Sequence, residues 1–191
     1  MVNQKKKGSR IELELVHWLK NHGIESARRT QQFSGKEGTS DIVATDELPN
    51  WHIESKGTKS SLLTRSTIKK WLTQVKTDSK QKYSVILNKA NSKDLVALIP
   101  FSTWKDLKHL ETSKYTVNVV VTESIHAVDG LVEAQTITKL LEHIVSLPND
   151  TIATYYFSTD PMHLDNKDLA LSNIAVILLA EHWLQVALLN S

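Results

Sequence analysis

The segment from Ser40 to Lys56 restricts the fold of this chain more than any other. Two short runs, Ser40-Asp41-Ile42-Val43-Ala44 and Trp51-His52-Ile53-Glu54-Ser55-Lys56, flank Thr45-Asp46-Glu47-Leu48-Pro49-Asn50, a stretch of turn formers. Successive strand residues point to opposite faces, so the second run sends Trp51, Ile53 and Ser55 one way and His52, Glu54 and Lys56 the other. The pattern predicts a hairpin with one apolar face, and on the other face Asp41 is brought near Glu54. Two carboxylates and a lysine on one sheet edge can hold a hard divalent cation and activate water beside it.

Upstream, Ile11, Leu15, Trp18 and Leu19 recur at helical spacing and predict a helix from Gly8 to about Asn21. At 100° per residue Glu12 falls between Leu15 and Val16, inside the apolar arc, whereas Glu14 falls outside it. A carboxylate on a core-facing arc is costly unless it is paired or bound to metal. Glu12 is therefore the acid on this helix that needs a reason: a buried Arg or Lys partner, the dipole of the first turn, or a cation.

The 191 residues and 40% hydrophobic content suit one domain, or one with a substantial addition. Cysteine is absent, which excludes disulfides, zinc ribbons and thiol nucleophiles and points to a reducing compartment. The basic start, Lys5, Lys6 and Lys7, leads into an amphipathic helix and not a secretory apolar run, so a cytoplasmic protein is expected. Eight histidines form neither HxH nor HExxH spacing, which disfavours a zinc hydrolase. Charge is unevenly divided: residues 1–100 hold 18 Lys and Arg against 10 Asp and Glu, net +8, and residues 101–191 hold 5 against 11, net −6. A basic front half suits a polyanion, although lysines also serve simply to solvate a surface.

Further elements follow from local pattern. Ser26–Thr30 reads as a short strand, Ser34–Ser40 as a glycine-bearing loop, and Thr67 to about Ser79 as a helix that buries Ile68, Leu72 and Val75 and turns Lys69, Lys70 and Lys76 outward. Residues 83–87 and 95–99 read as strands, and Ser102 as the N-cap of a short helix reaching about Leu110. Strands are expected near 115–121 and 151–157, and a helix over 132–147. Asp168 to Leu189 reads as a long helix, apolar on nearly every side, whose run from Ile174 to Ala180 is too short to span a membrane. Such a helix needs cover, so it is expected to form a homodimer interface.

Glu12, Asp41, Glu54 and Lys56 together resemble the PD-(D/E)xK nuclease superfamily, with Ser40-Asp41, twelve residues, then Glu54-Ser55-Lys56. The stretch Gly8-Ser9-Arg10-Ile11-Glu12 and the Ser34-Gly35 loop are similar to archaeal-type Holliday junction resolvases, and Gln74 matches a glutamine of several nuclease branches. The likeness covers roughly residues 5 to 100, and it departs where Ser40 replaces the usual proline. It implies an α/β fold with a restriction-endonuclease-like core, a mixed central sheet flanked by helices, placed here over residues 1–114; local pattern adds an α+β C-terminal extension over 115–191, expected to serve dimerisation or partner binding.

The activity implied is Mg²⁺-dependent hydrolysis of DNA, with Mn²⁺ able to substitute, on branched or junction DNA in recombination or repair. Asp41, Glu54 and the Ser55 carbonyl would ligate the cation, Glu12 would hold it directly or through water, and Lys56 would orient the attacking water. Ser34 would position the scissile phosphate. DNA contacts would come from Lys5, Lys6, Lys7, Arg10, Lys69, Lys70, Gln74 and Lys76. The rival readings are a sequence-specific restriction-type nuclease and a non-catalytic DNA-binding module.

Overall fold

The computed structural model describes residues 4–30, 40–58, 65–90, 95–107, 116–121, 152–158 and 174–191. Helix α1, Gln4–Asn21, begins a turn earlier than its apolar pattern does. Its stripe decides where it lies: Ile11, Leu15, Val16 and Leu19 are buried, while Arg10, Leu13 and Glu14 face solvent. Short strands β1, Arg28–Arg29, and β2, Ile42–Val43, precede β3, Trp51–Thr58. Helix α2, Arg65–Asp78, then leads to β4, Tyr83–Ala90, and β5, Leu95–Pro100. A single turn, α3 at Phe101–Trp104, is followed by β6, Thr116–Val121, β7, Ile152–Ser158, β8, Ile174–Leu179, and α4, Ala180–Leu189.

The strands form one mixed sheet in the order β1-β2-β3-β4-β5-β8-β7-β6. The expected hairpin is present, with β2 antiparallel to β3 and Ile42 opposite Ile53. Between β3 and β4 the pairing is parallel, as a crossover through α2 requires. Two apolar layers enclose the sheet. Trp51, Ile53, Val85, Leu87, Ala97, Ile99, Val176 and Leu178 pack with α1, α3 and α4 into one hydrophobic cluster. The alternate residues, among them His52, Glu54, Ile86 and Leu98, face the other way, toward the side on which α2 buries Ile68, Leu72 and Val75. The polar face of β3 is thus buried as well, which the alternating sequence alone does not reveal.

The C-terminal segment corrects the sequence reading. Residues 174–179 are strand β8, paired with β5 at Leu98↔Ile177 and with β7 at Tyr155↔Ile177, and the helix begins only at Ala180. A central strand is apolar on both faces, so Ile174-Ala175-Val176-Ile177-Leu178-Leu179 shows neither period. Its β-branched residues suit a strand. The cover that argued for a second copy also comes from this chain: fully buried Trp183 meets Trp51 edge to face, centroids 5.5 Å apart. At α3 the N-cap is Pro100, with no side-chain cap bond, and Ser102 lies inside the turn. The helix expected over 132–147 lies outside the described residues. Among those described, no helix is long and apolar enough to cross a membrane.

Gly57 admits α1 to the end of β3. A Cβ there would stand 1.8 Å from Ile11 Cδ1 and 3.2 Å from its Cγ1, so any side chain forces Ile11 aside. Gly57→Ala should cost about 1–2 kcal/mol and lower Tm by roughly 2–4 °C per kcal/mol in thermal unfolding. An unchanged Tm would show that Ile11 moves aside without cost.

Candidate active site

The hairpin register places Asp41, just ahead of β2, beside Glu54 of β3, on the face that α2 covers. Asp41 is held at two points: its carbonyl accepts from Thr30 N at 3.0 Å, and its Oδ2 accepts from Ser55 N at 2.9 Å. The Glu54 carboxylate is 5% exposed and held by several donors. Its Oε1 accepts from Lys56 Nζ at 2.7 Å and from Gln74 Nε2 at 2.8 Å, and Lys56 Nζ also donates to Gln74 Oε1 at 3.0 Å. Asn88, opposite Lys56 in the parallel register, donates from Nδ2 to the Lys56 carbonyl at 3.2 Å. Gln74 from α2 thereby ties the Glu54 carboxylate to the Lys56 ammonium, and Asn88 from β4 holds the Lys56 backbone.

Electrostatics separates the two acids. Burial pushes the Asp41 carboxyl up to about 6, the negative Glu54 adds to the rise, and the Ser55 amide and Lys56 oppose it. Burial also raises Glu54, but the His52 ring and the Lys56 ammonium more than offset it and hold that carboxyl below its ordinary value. The result is a buried Glu54 that is ionised near neutrality beside a half-buried Asp41 that is the acid under strain. Among the described residues no group of three His, Asp or Glu is gathered closely enough to hold a metal ion by itself, so these two carboxylates stand as a pair.

Glu12 borders the pair and carries a partner of its own. Its Oε2 accepts from Arg29 Nε at 2.8 Å and Nη2 at 2.7 Å, a forked contact between α1 and β1. Its charge still adds slightly to the rise of Asp41. Arg10 pairs with Glu14 at 3.2 Å, both well exposed. Lys69, Lys70 and Lys76 are exposed on α2, whereas Gln74 belongs to the cluster itself. Ser34 and the side chains of Lys5, Lys6 and Lys7 lie outside the described residues.

Three neighbours of the site carry no role in the sequence reading. Arg29 stands 17 positions from Glu12, a separation that no local pattern bridges. Asn88 appears only once β3 and β4 are known to run in parallel. His52, which the alternation places beside Glu54 and Lys56 on a polar face, is fully buried, because β3 is an interior strand covered on both faces. Its place on the Glu54 face was the available signal.

Residues 3–154 match a family described as "Phage putative PDDEXK endonuclease". No curated protein and no solved structure matches the chain significantly.

The raised Asp41 carboxyl carries a stability consequence. An acid whose folded value exceeds its unfolded value of 3.8 opposes folding when ionised, fully above about 6 and progressively less as pH falls. Asp41→Asn, which can still accept from Ser55 N, should therefore stabilise the metal-free protein at about pH 8 by roughly 1–2 kcal/mol. The gain should disappear near pH 4 in denaturant titrations. A variant less stable than the parent at pH 8 would show that Lys56 and the Ser55 amide outweigh burial.

Proposed function

This chain belongs to that family of PDDEXK endonucleases, and from that membership we propose that it hydrolyses DNA phosphodiester bonds at the Asp41, Glu54 and Lys56 cluster with a divalent cation, Mg²⁺ or in its place Mn²⁺. The observation that carries the reading is the pair of carboxylates, Glu54 buried and Asp41 half-buried, with an ammonium fixed beside them. The donor set fits a hard cation: the groups are oxygens, and the burial and Glu54 repulsion that lift Asp41 are penalties on its charge that a divalent ion would relieve. Asp41, Glu54 and the Ser55 carbonyl would hold it, with Glu12 at the margin if Arg29 releases it. When bound, the cation would supply a Lewis acid that lowers the pKa of water and offsets charge on the phosphate.

The chain's own residues account for the remaining requirements. Lys56 is held by Glu54 and Gln74 through two acceptors, and an ammonium has three protons to give. The third would orient a water or contact a phosphoryl oxygen, where fixed positive charge favours the pentavalent transition state. Gln74 keeps Lys56 and Glu54 at one spacing by donating to one and accepting from the other. The exposed lysines of α2 would meet DNA phosphates, which position a duplex without reading its sequence. Branched DNA is the substrate proposed, on the likeness of the Gly8–Glu12 and Ser34–Gly35 segments to junction resolvases. Sequence-specific cutting of linear duplex is the alternative outcome.

Asp41→Asn, Glu54→Gln and Lys56→Ala should each lower Mg²⁺-dependent cleavage by about two orders of magnitude or more, with DNA binding largely retained in gel-shift titrations. Assays on a four-way junction, a flap and linear duplex, with and without EDTA, should show cation-dependent cutting of the branched forms. Parental rates in any of the three variants would remove the site, and cleavage confined to linear duplex at one sequence would replace the junction reading.

A further inference from the structure

Ser40 and His52 are not among the groups assigned to cation or substrate, yet both are buried beside them, at 2% and 0% exposure. Ser40 directly precedes Asp41, and His52 stands two residues before Glu54 on the same face of β3. The His52 ring lies between them: Nδ1 is 3.1 Å from Ser40 Oγ, and Nε2 is 3.6 Å from Glu54 Oε2. At that distance Nε2 makes no hydrogen bond and has no other partner, an arrangement that is costly for a buried ring nitrogen unless the nearby charge compensates it.

The partners dictate the tautomer. A carboxylate only accepts, so the nitrogen facing Glu54 carries the hydrogen. In the neutral ring Nδ1 is then the acceptor, and the Ser40 hydroxyl donates to it. Lys56 and Gln74 both engage Oε1 of Glu54, and the ring faces Oε2 across 3.6 Å, an electrostatic contact and not a hydrogen bond.

We propose that Ser40 and His52 form a positioning pair that fixes the carboxylate plane of Glu54 from its Oε2 side, opposite the Lys56 and Gln74 contacts on Oε1. The inference rests on Glu54 being a cation-binding residue of a nuclease. An apolar residue would fill an interior strand position at lower cost than a polar ring that needs its own hydroxyl partner. The pair thus acts on the site through Glu54, and it explains why a serine precedes Asp41 here.

Two replacements of His52 separate this role from plain core filling. Glutamine places its amide near the Nε2 position and keeps the Glu54 side, whereas asparagine places its amide near Nδ1 and keeps only the Ser40 side. His52→Asn should lose about 10–100-fold in kcat, with KM for DNA nearly unchanged, and about 10-fold in affinity for Ca²⁺ alone by calorimetry. His52→Gln should recover most of both. Ser40→Ala should show a smaller loss in the same direction, because the ring is then free to change tautomer. Thermal melts of each variant report folding independently.

Parental kcat and Ca²⁺ affinity in His52→Asn would overturn the proposal, as would equal losses in both histidine variants that simply follow Tm. If neither histidine variant folds, Ser40→Ala decides, and parental values there overturn it. If Glu54→Gln is inactive while His52→Asn is not, the inference falls and the nuclease reading stands. If the parent cuts no DNA, that reading fails, and the Ca²⁺ titration still measures what His52 does to Glu54.

Discussion

The arrangement depends on one register. Ile42 opposite Ile53 puts Asp41 beside Glu54, and it simultaneously turns both isoleucines into the cluster beneath α1. A slip of one residue would send the acids into that cluster and the isoleucines toward α2. The apolar side of the hairpin therefore enforces the polar side, and the energy that drives Ile42 and Ile53 to zero exposure is what holds two like charges together. Folding stability and the strained acid pair come from the same few residues.

What surrounds the pair is a distribution of counter-charge. Lys56 and Gln74 converge on one oxygen of Glu54, His52 faces the other, and Arg29 occupies Glu12 at the margin. Asp41 accepts from the Ser55 amide, yet burial and the neighbouring Glu54 charge raise it. The opposite shifts divide the carboxylates into one that is settled and one that an added cation would relieve most. Asn88 fixes the Lys56 backbone from the neighbouring strand and so belongs to the same framework.

Much of this was legible in the sequence because it is local. The turn formers between Ala44 and Trp51, the alternation through Lys56 and the arc containing Glu12 each reflect a period read within one or two elements. Other features depend on distant partners. Arg29 meets Glu12 only when β1 docks on β2 at the end of α1, and His52 is buried only because α2 covers that face. The run at 174–179 belongs to a strand enclosed between β5 and β7, where apolar residues on both faces erase the signal that separates strand from helix. Composition supplied the basic front half, but not the fact that a strand from the acidic half would lie against β5 in the same sheet.

Asp41 is an acid raised by burial and by the neighbouring Glu54 charge, and the proposed cation would relieve it. Carboxyl ¹³C NMR of Asp41 across a pH series, without metal and then with saturating Ca²⁺, measures it most directly. The account predicts a midpoint near 6 in the metal-free protein and a fall below the ordinary carboxylate range once Ca²⁺ is added. A metal-free midpoint near 3.8, or one that Ca²⁺ leaves in place, would contradict it.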